Sequence, residues 1–156
     1  MKKRNFKAPS GQTISFTELG FGTAPLGNLY RPVDPEDAQK TLEAAWNAGV
    51  RFYDTAPLYG LGLSETRLNR FLFGKKRKDY VLSTKVGRLL DVCRKERFDY
   101  TYDGFMRSIE FSLERLGVDS IDILFVHDCD VFTHKSEAAR DAHVKTLMAS
   151  GYKALV

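Results

Sequence analysis

The chain alternates between two rhythms of apolar and polar positions. Three times an amphipathic helical stretch gives way to a glycine and then to a short apolar run that reads as a strand. The first helix is predicted to start at Asp34-Pro35, where Asp caps free amides and Pro suits the first turn. Ala38, Leu42, Ala45 and Trp46 form its apolar stripe, Gly49 ends it, and Val50 to Asp54 is the strand that follows. The second helix runs from Leu63 to Leu72 with Leu68, Phe71 and Leu72 on one face. It stops at Gly74 and leads to a strand over Tyr80 to Lys85. The third repeats Phe105, Ile109, Leu113 and Leu116 at helical spacing, turns Arg107, Glu110 and Glu114 outward, ends at Gly117 and yields a strand from Ile121 to His127. One more strand, Leu19 to Thr23, precedes these, and a hairpin around Ser10-Gly11-Gln12 comes before it.

Strands alternating with helices imply a parallel α/β sheet. A doubly wound nucleotide fold would place G-x-G-x-x-G at its first strand–helix turn. Gly20, Gly22 and Gly27 have the wrong spacing for that, and Gly60-Leu61-Gly62 is followed by Glu65 where the third glycine belongs. The remaining arrangement is a (β/α) barrel of the TIM type, which puts its chemistry where the strands end.

Those ends carry charge. Alternation puts Val50, Phe52 and Asp54 on one face, Val81, Ser83 and Lys85 on another, and Ile121, Ile123, Phe125 and His127 on a third. With these faces turned into the barrel, Asp54, Lys85 and His127 meet at its mouth, and Tyr59 arches over them from the following loop. A buried carboxylate needs a partner, and Lys85 supplies it. A phenol ionises near pH 10 unaided, and an ammonium about 4 Å away at an effective dielectric near 20 favours the phenolate by roughly 4 kcal/mol. The set can therefore exchange a proton with a carbonyl or alcohol oxygen, with His127 donating a hydrogen bond to that oxygen. It holds no nucleophile and no metal, so hydride chemistry needs a bound nicotinamide. Taken singly, each residue has a plainer reading: Asp54 as a loop cap beside Thr55 and Pro57, Tyr59 as an interface aromatic, Lys85 as a solvated strand end, His127 as a structural histidine. Their joint placement on successive strand ends favours the site.

Composition narrows this little. With 156 residues, 43% hydrophobic and 28% charged, the chain suits one soluble domain, and a net charge of +4 is mildly basic. The dense cationic runs are Lys2-Lys3-Arg4 and Lys75-Lys76-Arg77-Lys78. The second reads as a solvated loop, and no aromatic or groove-reading partners accompany it, so nucleic acid is not expected as a partner. Cys93 and Cys129 have no ligand spacing and read as reduced thiols of a cytoplasmic protein. No apolar run follows the basic N-terminus as in a signal peptide, and none is long enough to span a membrane. Asp128 and Asp130 beside His127 are weak evidence for a metal, and His134 and His143, in a polar segment after the last strand, carry no assigned role.

Five stretches together resemble the aldo-keto reductase family: Leu19-Gly20-Phe21-Gly22-Thr23-Ala24, Gly49 to Ala56 with Tyr59-Gly60, Ser64-Glu65, Leu82-Ser83-Thr84-Lys85, and Asp122 to Asp128. FYDTAPLYGLGLSE and VHDCD are similar more narrowly to the aldose and pyridoxal dehydrogenase branch. The resemblance implies an NAD(P)-dependent oxidoreductase moving hydride between nicotinamide and a sugar or related carbonyl. It makes Tyr59 the general acid/base, Lys85 and Asp54 its tuning pair and His127 the substrate-orienting residue. Gly22, Thr23 and Asp54 would lie against the nicotinamide.

A full barrel takes about 250 residues. The expectation is therefore the N-terminal half of such a barrel, residues 1–156 forming one domain of four βα units after a β-hairpin, with most of the cofactor site missing. Ser150 to Val156 reads as the opening of a fourth helix broken off without a stop, which favours a truncated relative. Its open edges would promote self-association. The competing reading is a non-catalytic half-barrel remnant or interaction module.

Overall fold

The structure, a computed structural model, describes residues 1–8, 11–90, 93 and 95–156. Strands β1 (Lys3–Lys7) and β2 (Thr13–Thr17) form an antiparallel hairpin. Ser10, placed by the sequence at its tip, lies outside the described residues. Then come β3 (Phe21–Gly22), α1 (Pro35–Asn47), β4 (Phe52–Asp54), α2 (Leu63–Leu72), β5 (Val81–Val86), β6 (Arg88–Leu90), β7 (Glu96–Phe98), α3 (Tyr102–Leu116), β8 (Ile123–Val126), α4 (Val131–His134) and α5 (Glu137–Ala149). The central sheet is parallel in the order β3-β4-β5-β8, with Gly22 opposite Asp54, Asp54 opposite Ser83 and Lys85 opposite Phe125. This is half of a (β/α)8 barrel, as the pattern predicts.

The helices form where their caps and stripes dictate. The Asp34 carboxylate accepts from the Glu36 amide at 2.8 Å with Pro35 at the first position. Leu68, Phe71 and Leu72 of α2 are buried. Gly117 takes the left-handed conformation that ends α3. The outer faces of β4 and β5 supply Tyr53 and Leu82 to a core with Ala38, Leu42, Leu68, Phe71 and Leu116. Tyr53 packs against Phe71 at 5.8 Å and Trp46 at 6.5 Å between ring centroids.

Several expectations need correcting. Strands β3, β4 and β8 are shorter than predicted, whereas β5 keeps its six residues shifted by one; at the start of β8 the Asp122 carboxylate accepts from the Leu82 amide at 2.7 Å. Helix α3 buries Phe105 and Leu116 of its apolar stripe with Ile109 packed beside Phe105, but the buried face also takes in Gly104, Ser108 and Ser112, and Leu113 is only partly covered. The basic run is not merely solvated: Arg77 pairs with Asp122 and donates to the Ser120 and Tyr80 carbonyls, while Lys75 lies over the Phe71 ring. The segment after the last strand holds two helices, with Ser136 capping α5 at the Ala139 amide. Residues 150–156 are therefore not the opening of the fourth helix, which is complete at Ala149, and Gly151–Ala154 forms a 3-10 turn. An antiparallel β6–β7 pair, with Arg88 opposite Phe98 and Leu90 opposite Glu96, adds to the predicted elements. Among the described residues no helix is long and apolar enough to cross a membrane.

Candidate functional site

The C-terminal ends of β4, β5 and β8 and the loop after β4 bring Asp54, Tyr59, Lys85 and His127 together. Because Asp54 and Ser83 are register partners, their side chains leave the sheet on the same face, and the Ser83 hydroxyl donates to Asp54 Oδ1 at 2.6 Å. One residue pair further along, Lys85 Nζ reaches Asp54 Oδ2 at 2.8 Å and the Thr55 carbonyl at 2.9 Å. The ammonium thus sits in a fixed cradle, and the carboxylate has a donor on each oxygen. This satisfies the requirement that a charge carried out of a buried strand be paired.

Tyr59 is held by its loop. The amides of Gly62 and Ser64 donate to the carbonyls of Pro57 and Tyr59. Gly60 adopts positive φ where its backbone meets that of Gly27, and a Cβ on either glycine would run into the other. The Tyr59 ring therefore stands over the strand ends, edge-on to His127 at 6.0 Å between centroids, with Lys85 Nζ 4.8 Å from its own centroid. The contact differs from the expected one: the ammonium lies over the ring face, and its two hydrogen bonds among the described residues go to Asp54 and Thr55 rather than to the phenol.

His127 is 9% exposed. Its Nε2 lies 3.6 Å from Asp128 Oδ2, and Nδ1 is buried without a partner among the described residues. Burial pushes its pKa down, Asp128 opposes this, and the charges of Lys85 and Arg88 add to the depression. The neutral ring keeps one N–H to donate. A depressed histidine means that the unfolded chain, with a value near 6.5, binds more protons below that pH than the folded one. Stability contributed by the neutral ring is present above about pH 6.5 and is lost as pH falls through the lower folded value. The expected slope is at most about 1.4 kcal/mol per pH unit. Thermal melts of wild type and His127→Asn between about pH 7 and pH 5 check this: the wild type loses more stability on acidification, and parallel curves refute it.

Gly22 ends β3 opposite Asp54, and a Cβ there would meet nothing within 4 Å. Thr23 is fully buried: its hydroxyl donates to the Asp54 carbonyl at 2.9 Å and accepts from Ser64 Oγ at 2.6 Å. Its side chain therefore braces the end of β4 from behind rather than facing outward. Ser64 also sits 3.2 Å from the Thr55 hydroxyl, so three buried hydroxyls lock the ends of β3 and β4 to the start of α2. Sequence reasoning assigned no role to Ser64 or to Ser83, although both fall within stretches it singled out. It missed Arg88 altogether. Arg88 pairs with Asp128 at 2.6 Å and with Glu96 at 2.8 Å beside His127, and nothing in the spacing signals that contact. Asp130 caps α4 at the Thr133 amide. Among the described residues no cluster of three or more His, Cys, Asp or Glu groups could hold a metal ion. The His134 and His143 rings lie tilted, 4.1 Å apart between centroids, against Phe98 and Tyr100, and the Tyr100 hydroxyl joins His134 Nε2 at 3.2 Å to the His127 carbonyl at 2.9 Å.

Residues 18–154 match the profile of the Aldo/keto reductase family. A D-threo-aldose 1-dehydrogenase from a Pseudomonas species is 45% identical over 141 residues, covering 78% of this chain and 43% of that protein. A pyridoxal 4-dehydrogenase from Microbacterium luteolum is 42% identical over 157 aligned positions, covering 85% and 46%. An aldo-keto reductase of Bacillus halodurans, solved in its holo form, superposes with a TM-score of 0.69 at 28% identity over 97% of this chain and 48% of that one. The chain spans about half the length of the curated relatives it matches.

Proposed function

The chain belongs to the aldo/keto reductase family, and from that premise we propose that it contributes the proton-handling half of an NAD(P)-dependent oxidoreductase site for a sugar or related carbonyl. The observation that carries the reading is the Lys85–Asp54 pair beneath the Tyr59 ring with His127 at its edge, drawn from three adjacent strand ends. Tyr59 is the general acid/base: it gives its proton to the oxygen of a carbonyl being reduced, or accepts one from an alcohol being oxidised. Lys85 stabilises charge on the phenol, and Asp54 with Ser83 holds Lys85 in place. Neutral His127 donates a hydrogen bond that fixes the substrate oxygen. The nicotinamide, when bound, supplies or accepts the hydride. The open space over Gly22 beside Asp54 fits its flat ring, while Thr23 supports that surface from behind. The aldose and pyridoxal dehydrogenase names of the relatives favour a polyhydroxylated or aromatic aldehyde and the corresponding alcohol.

The binding half of this reading is tested by titrating reduced nicotinamide cofactor against wild type and Gly22→Leu while following ligand fluorescence. A side chain at Gly22 enters open space, so the melting temperature is expected to stay within a degree or two. Cofactor affinity is expected to fall about tenfold or more, that is by about 1.4 kcal/mol or more. Unchanged affinity would remove Gly22 from the cofactor surface, and no binding by either protein would favour the second reading. That second reading, a non-catalytic half-barrel module, draws on the open inner face, where Phe125 is 48% exposed.

A further inference from the structure

We propose that Arg88 is a positioning residue for His127: it holds the Asp128 carboxylate off the imidazole and so keeps the ring N–H free for a substrate oxygen. The proposal rests on the reading of His127 as the group that orients the substrate. A single carboxylate oxygen carries the argument. Asp128 Oδ2 lies 2.6 Å from Arg88 Nη1 and 3.6 Å from His127 Nε2. The first is a charge-assisted hydrogen bond, and the second is beyond hydrogen-bond length. The same oxygen thus has two candidate partners, and the guanidinium takes it.

The groups on either side of that oxygen are fixed. The His127 amide donates to the Val86 carbonyl at 2.8 Å, and the hydroxyl of the buried Tyr100 reaches the carbonyls of His127 and Asp128 at 2.9 and 3.1 Å. Asp128 sits at φ 53°, a left-handed conformation uncommon outside glycine, and this turn leaves its carboxylate beside the ring of the preceding residue. Arg88 is anchored from its other side by Glu96, whose Oε2 accepts from Nε at 3.1 Å and Nη2 at 2.8 Å, and its guanidinium lies 5.2 Å from the Phe98 ring centroid. Without the guanidinium the carboxylate is free to turn onto Nε2–H. That contact consumes the donor and favours the imidazolium. Among the described residues, the charged and titratable groups that act on the ring are Asp54 of β4, Tyr59 from the loop after it, Lys85 of β5, Arg88 of β6 and Asp128. Asp54 is paired with Lys85 and Asp128 with Arg88, so two closed ion pairs flank the ring. Loss of Arg88 opens the second pair and leaves its carboxylate one residue from the imidazole.

Proton NMR titration of the His127 ring in the full chain, between about pH 4.5 and 8.5, tests this without substrate or cofactor. The chain has 3 histidines, and His127→Asn identifies the resonance. Arg88→Met is expected to raise the proton affinity of His127 about tenfold. Arg88→Lys, which keeps a cation for Asp128, is expected to stay near wild type. The effect should run through the carboxylate: in an Asp128→Asn background, Arg88→Met should raise the affinity at least about threefold less. An equal rise in both backgrounds means that Arg88 acts on the ring by its own charge alone, and this overturns the proposal. So does a titration that Arg88→Met leaves unchanged. Should Arg88→Met lose the wild-type far-ultraviolet circular dichroism, Arg88→Gln replaces it in the same comparison, since it keeps a neutral donor for Asp128 and Glu96. The titration needs no turnover, so its failure is distinct from failure of the oxidoreductase reading, which shows instead as absent cofactor binding in the wild type.

Discussion

Tyr59→Phe is expected to lower turnover by about 10²–10⁴-fold, the usual worth of a positioned acid/base group, while leaving the fold and cofactor affinity essentially as they were. The substitution removes one oxygen and nothing else. The ring keeps its edge contact with His127 and its face over Lys85, and the backbone bonds that hold the loop do not involve the side chain. Lys85→Met is a less clean probe, because it also strips Asp54 of its cation and the Thr55 carbonyl of a donor. The measurement is initial-rate nicotinamide absorbance with an aldose or aromatic alcohol, beside a cofactor titration of the same preparation. Retained turnover in Tyr59→Phe would exclude the phenol as the acid/base. Lost cofactor binding would mean that the ring shapes the pocket instead.

The parts of this site that sequence exposes are those set by strand alternation. Asp54, Lys85 and His127 each end an apolar run, and parallel register converts that into neighbourhood in space, since Asp54 faces Ser83 and Lys85 faces Phe125 across the sheet. Tyr59 follows because a short loop after Asp54 has little room to go elsewhere. What alternation does not encode is the direction of a flexible side chain. Lys85 has enough reach to meet either the phenol oxygen or the ring face, and the Thr55 carbonyl and Asp54 carboxylate decide for the face. The resemblance sets Thr23 against the nicotinamide, and no pattern in the sequence shows that its hydroxyl turns inward to the Asp54 carbonyl. Helix α5 escaped notice because it buries nothing among the described residues, so its sequence shows no clear apolar stripe. The hairpin β6–β7 is short and held partly by the Arg88–Glu96 pair, a contact with no periodic signature. The apolar stripe of α3 places Phe105 and Leu116 inside and Arg107, Glu110 and Glu114 outside correctly, but it does not show that Gly104, Ser108 and Ser112 share the buried face, because small residues carry no apolar signal.

Glu65→Ala is expected to cost about 3–5 kcal/mol of stability, seen as a fall of roughly 6–20 °C in melting temperature for a domain of this size. Glu65 is fully buried on α2, accepts from Arg115 Nε of α3 at 2.6 Å and from the Thr84 hydroxyl of β5 at 2.8 Å, and so ties two helices to the sheet directly behind the site. Burial pushes its carboxyl up, against the opposing pull of Arg115, Thr84 and Ser112. The cost of removing it comes chiefly from what is left behind: a largely enclosed guanidinium without its carboxylate and a buried hydroxyl without its acceptor. That argument separates two measurements. If orphaned charge is the cause, the double replacement Glu65→Leu with Arg115→Met should recover most of the loss, because an apolar pair of similar volume needs no compensation. If the double variant melts as low as Glu65→Ala, the geometry of the tie itself holds α2 and α3 in place. A melting temperature of Glu65→Ala equal to wild type would show that the pair adds nothing net to the fold. Since α2 carries Ser64, whose hydroxyl bonds to Thr23 and Thr55, a loosened α2 should also relax the ends of β3 and β4, and with them the cradle that holds Lys85.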